Sequence, residues 1–104
     1  MKTLPIILLF WNGLAFAAGD SAAGKAVFER SCKACHGDSG EGNPKLAKMM
    51  KVEFKPLGST EVQGMKDTGL KAVITEGKGK MKPVKTVAAA DIDNVIAYVR
   101  TLKK

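Results

Sequence analysis

Cys32-Lys33-Ala34-Cys35-His36 gathers both cysteines and the sole histidine of this 104-residue chain into five consecutive positions. Two thiols at i and i+3 stand about one helical turn apart, and the imidazole follows at once. This is the C-x-x-C-H spacing of a c-type haem attachment site. Each thiol can form a thioether to one vinyl group along a porphyrin edge, and the imidazole lies where it can become the fifth ligand of the iron. A redox dithiol, a disulfide or half a zinc site would use the cysteines and leave the histidine idle. Zinc needs a fourth ligand, and no further Cys or His is present to complete a Cys/His set. A thioredoxin-like pair belongs in a βαβ setting, whereas the pattern around this motif is helical. Haem attachment is the one reading that employs all three side chains.

The elements that must hold this motif read as helices between loops rich in Gly and Lys, with no alternating strand pattern. Asp20 or Ser21 caps a first helix running to about Ala34, with Val27, Phe28 and Cys32 facing inward. Gly24 inside it costs about 1 kcal/mol relative to alanine, which implies another element packed close by. Gly37 to Pro44 is a loop by composition, and Pro44 starts a short helix over Lys45 to about Met50. Lys51 to Lys66 is expected to be irregular. Asp67 or Thr68 caps a helix from Gly69 to Glu76, ended by Gly77, and Lys78 to Pro83 forms a loop. The last helix, about Ala88 to Leu102, carries the apolar stripe Ile92, Val95, Ile96, Val99 and Leu102, with Tyr98 at its rim; its role is packing.

The ends and the composition set the context. Met1-Lys2, an apolar run from Leu4 to Phe16 and the small-x-small triplet Ala15-Phe16-Ala17 read as a secretory signal over residues 1–17. The run is short of the ~20 residues a membrane span needs. Cleavage after Ala17 leaves 87 residues, a single domain over 18–104 with no membrane attachment. Phe28, Phe54 and Tyr98 are then its only aromatic residues. So small a core is marginal without a staple, so a buried porphyrin is expected to form part of it. Without Lys2 the chain holds 16 basic and 10 acidic residues, a formal +6, and two haem propionates lower this to about +4. That balance suits an acidic protein partner. Nucleic acid is excluded, because the lysines are not interleaved with aromatics and no binding motif occurs.

The chain resembles the bacterial monohaem class I c-type cytochromes over essentially the whole of residues 18–104. The likeness rests on Gly24-x-x-x-Phe28-x-x-x-Cys32, on Cys32 to His36, on Gly77-Lys78-Gly79-Lys80-Met81, and on Asp91 to Arg100. It implies an all-α fold, about four short helices and loops wrapped around one covalent haem c held by Cys32 and Cys35. In that family the first and last helices cross near a glycine and two aromatics, here Gly24, Phe28 and Tyr98.

The resemblance also implies a sixth ligand. Met49, Met50, Met65 and Met81 are available, and methionine is by default a soft core filler. Met81 stands apart because it lies in a Gly/Lys loop and matches the family's axial methionine; Met65 is the next candidate. The family usually has proline directly after that methionine, whereas Lys82 intervenes here before Pro83. A ligating imidazole donates its second N–H to a carbonyl or carboxylate, and the family's proline carbonyl maps to Pro44, with Asn43 as its neighbour. Lysines ring the exposed haem edge in the family, which makes Lys78, Lys80, Lys82 and Lys85 a candidate docking surface. The expected function is a monomeric periplasmic one-electron carrier with His/Met ligation, and not an enzyme. The rival readings are a small-ligand sensor or peroxidase with a labile distal Met, and a haem subunit of a larger oxidoreductase.

Overall fold

The computed structural model describes residues 19–104; the signal-like segment 1–17 lies outside them. Within the described residues six helices follow in order: α1 (Ser21–Ser31), α2 (Lys33–His36), α3 (Pro44–Met50), α4 (Thr60–Gln63), α5 (Asp67–Glu76) and α6 (Ala89–Thr101). Among the described residues the only β pairing is an isolated antiparallel bridge between Lys78 and Met81. The protein is all-α, as the periodicity requires.

α1 begins where Asp20, in extended backbone, accepts hydrogen bonds on Oδ1 from the amides of Ala22 (2.9 Å) and Ala23 (3.3 Å). This satisfies two of the amides that every helix start leaves orphaned. The helix ends at Ser31 rather than near Ala34. Cys32 takes φ −123°, breaks the helical path, and opens the separate turn α2. α1 and α6 pack against each other, and both supply the core. Val27 and Phe28 from α1 and Ile92, Val95, Ile96 and Val99 from α6 are buried, and Val27, Val95 and Val99 pack together as one cluster. Leu57, Ile74 and Val87 pack against this cluster from the sides.

The close crossing depends on Gly24. A Cβ at that position would overlap the carbonyl of Asn94 on α6, so no other residue allows the two backbones to meet there. The Phe28 and Tyr98 rings stack beside it, with centroids 5.2 Å apart and planes tilted by 55°. Asp20 N–H donates to Asn94 Oδ1 at 2.8 Å and fastens the start of α1 to the same point.

Two further elements differ from the sequence expectation. The segment read as irregular contains α4, capped by Ser59, whose Oγ accepts from Val62 N–H at 3.3 Å. α5 starts at Asp67, two residues early, and no side chain caps it. Asp67 faces Arg100 instead: Arg100 Nη2 and Nε donate to its Oδ1 at 2.6 and 3.2 Å. The same guanidinium donates to the carbonyls of Gln63 (3.0 Å) and Met65 (2.7 Å), and Gln63 Nε2 donates to the carbonyls of Leu57 and Val99. The polar side chains of α6 and α4 thus hold a segment that has little apolar burial of its own.

Candidate haem site

Cys32, Cys35 and His36 share one turn. The amides of Cys35 and His36 both donate to the Cys32 carbonyl, at 3.2 and 3.0 Å, so the backbone winds all three side chains onto one short helix. Both cysteines are free thiols; Cys35 is exposed and Cys32 half-buried. Burial, and then the neighbouring Cys35 thiol, push the Cys32 thiol above its ordinary pKa. Burial holds His36 below the usual histidine range. The ring is therefore neutral at pH 7, the form with a lone pair to give a metal.

His36 Nδ1 is buried and has no hydrogen-bond partner. An unpaired buried nitrogen costs about 1–3 kcal/mol. The Phe54 ring meets the imidazole edge-on, with centroids 5.7 Å apart and planes at 64°, and fixes its orientation. Phe54 was hidden in the segment read as irregular; its scarcity, one of three aromatics after residue 17, was the available signal.

Asn43 and Pro44 are drawn to the same turn by the backbone. Gly42 N–H donates to the His36 carbonyl (2.6 Å), Asn43 N–H to the Cys35 carbonyl (2.9 Å), and Asn43 Nδ2 to the Ala34 carbonyl (3.1 Å). Asn43 Oδ1 also accepts from Lys45 and Leu46 and so caps α3, while Pro44 supplies its first residue. Neither residue bonds His36 Nδ1.

Met81 lies apart, in a tight turn. The amides and carbonyls of Lys78 and Met81 exchange two 2.9 Å hydrogen bonds around Gly79-Lys80. Gly77, at φ +82°, has room for no Cβ, because the Met81 carbonyl and Pro83 lie against it. Val84 N–H then donates to the Ile74 carbonyl and seats the loop on α5. Met81 is half-buried, whereas Met49 is 77% exposed; Met50 and Met65 are half-buried. Lys78, Lys80, Lys82 and Lys85 are all exposed. Among the described residues, Lys80 alone of these four makes a side-chain hydrogen bond, from Nζ to the Met50 carbonyl at 2.6 Å.

The site fits a covalent haem on its own chemistry. It offers two free thiols on one turn, a neutral imidazole that follows them directly, and a core short of apolar surface. Residues 21–103 match the cytochrome c family profile. The chain belongs to the cytochrome c family. It is 36% identical over 95 residues to cytochrome c-554(547) of Halothiobacillus neapolitanus, covering 83% of this chain and all of that one. It is 36% identical to cytochrome c6 of Rippkaea orientalis over 79% of this chain and 70% of that one. Among solved structures, the KustC0563 c-type cytochrome superposes with a TM-score of 0.66 at 25% identity, over 78% of this chain and 98% of that one. This cytochrome is of the monohaem class I type: a small electron carrier, not an enzyme, with covalently bound haem c. The Cys32-to-His36 motif is where such attachment fits. Among the described residues no helix is long and apolar enough to cross a membrane.

Proposed function

We propose that this cytochrome is a periplasmic one-electron carrier, with haem attached through Cys32 and Cys35 and the iron held between His36 and Met81. The observation that carries the reading is the single turn on which two free thiols and a neutral imidazole converge. The haem, when bound, supplies a one-electron change at iron. His36 would give its lone pair from the nitrogen opposite Nδ1, with Phe54 holding the ring. Met81 would present a thioether sulfur, which favours the reduced iron and raises the potential relative to a second imidazole. The double hydrogen bond across Lys78 and Met81 fixes the backbone that bears that sulfur.

Export follows from the signal-like residues 1–17 and from the chemistry of thioether attachment, which takes place outside the bacterial cytoplasm. The exposed Lys78, Lys82 and Lys85, on a strongly basic chain, favour an acidic protein partner and a monomeric carrier that docks and leaves.

Optical spectra of the ferrous protein, with and without CO, test the ligation. A low-spin spectrum that CO leaves unchanged is expected, and Met81→Ala should turn the iron high-spin, lower the potential and admit CO. If Met81→Ala keeps the parent spectrum, another side chain is the ligand. Rapid CO binding by the parent protein would instead support a ligand sensor or peroxidase.

A further inference from the structure

The geometry assigns to Lys80 a positioning role: with α3 it forms a strut that holds the Met81 loop at a fixed distance from the Cys32–His36 turn. The inference rests on the reading of Met81 as the sixth ligand, and concerns what keeps it in place.

α3 is bonded at both ends to the two segments that matter. Its N-terminal end is tied to the attachment turn by Gly42 N–H to the His36 carbonyl, Asn43 N–H to the Cys35 carbonyl and Asn43 Nδ2 to the Ala34 carbonyl. Its last residue, Met50, presents a carbonyl that no later helical amide can reach. That carbonyl accepts the 2.6 Å hydrogen bond from Lys80 Nζ, across 30 positions of sequence. The helix between them has seven residues, about 10 Å of rigid rod. Its end is set firmly, since Lys51 closes it in the left-handed region (φ +56°) and donates back to the carbonyls of Ala47 and Lys48. Val52 N–H also donates to the Ala47 carbonyl.

Lys80 is placed to use this anchor. It sits at the tip of the turn closed by Lys78 and Met81, immediately before Met81. The trailing side of the loop is seated on α5 through Val84 and Ile74. Lys80 supplies the attachment on the α3 side. With it, the loop is held from both sides; without it, the tip hangs from α5 alone. A charged donor to a carbonyl is among the stronger hydrogen bonds available at a surface. Lys80 is thus distinguished from Lys78, Lys82 and Lys85, whose side chains make no hydrogen bond to another described residue.

The test uses the ferric holoprotein and free imidazole, a neutral ligand whose entry does not depend on surface charge. Displacement breaks the iron–thioether bond and forms an iron–imidazole bond, with no change in oxidation state. In Lys80→Met the displacement rate should rise about tenfold, as expected on losing a charged hydrogen bond, and Lys80→Arg should stay within about threefold of the parent. An unchanged rate in Lys80→Met overturns the positioning role. Hydrogen exchange of the Met81 amide in the same holoproteins reads the strut without reference to the iron. It should accelerate about tenfold in Lys80→Met, and an unchanged exchange rate overturns the strut itself. Met81→Ala separates the two readings: if its spectrum matches the parent, the ligand assignment fails, while the exchange result still decides the strut.

Discussion

His36 and Lys80 show how single side chains in this cytochrome acquire roles that their neighbours lack. His36 is neutral because burial disfavours its charged form, and its Nδ1 is left unpaired within protein. Lys80 is one of four lysines in an exposed run, yet its ammonium is committed to the Met50 carbonyl. Lys82 and Lys85 keep theirs free for a partner. The double variant Lys82→Glu/Lys85→Glu is therefore expected to slow electron transfer to an acidic redox protein about tenfold at low ionic strength, with the gap closing as salt screens the charges. Stopped-flow rates across a salt series measure this, and a rate that ignores both the substitutions and the salt would remove these lysines from the docking surface. The attachment residues were legible in the sequence because C-x-x-C-H encodes its chemistry in spacing alone. Lys80 was not separable from the other lysines, since its partner lies 30 positions away on a backbone atom that no residue type advertises.

Between elements, the α1–α6 crossing governs stability. Gly24 was readable as a point of close approach because glycine within a helix is costly without such a reason, and the structure supplies that reason in the Asn94 backbone. Gly24→Ala should push the helices apart and destabilise the holoprotein by about 2–3 kcal/mol, read as a lower denaturation midpoint. A midpoint equal to the parent's would mean that the crossing yields without cost. The starts of α4 and α5 were harder to read. Asp67 has the residue type of a helix cap, but it is the first residue of α5 with its carboxylate on Arg100, and the capping position falls to Lys66, which makes no cap hydrogen bond. α4 is a four-residue helix whose end is held by Arg100 and whose Gln63 reaches the Leu57 and Val99 carbonyls. Local sequence carries no trace of partners that lie on the last helix.

Taken as one molecule, the cytochrome has a core too small for its length. Among the described residues, the buried apolar side chains are Val27, Phe28, Ile92, Val95, Ile96 and Val99, all from α1 and α6. α2 to α5 contribute no buried residue, so the middle of the chain depends on hydrogen bonds and on the haem it surrounds. The variant Cys32→Ser/Cys35→Ser, produced without covalent haem, is expected to lose near-ultraviolet circular dichroism and a cooperative thermal transition; a sharp melt would show that the polypeptide folds by itself. The same arrangement fixes an order of events during synthesis. Asp20 and Asn94 meet across 74 positions, and four of the six buried side chains belong to α6. Emerging N-terminus first, the chain presents its two thiols long before α6 exists to shelter α1. Closure of the core is thereby a late event: the turn that carries the thiols comes before the helix that supplies most of the buried surface.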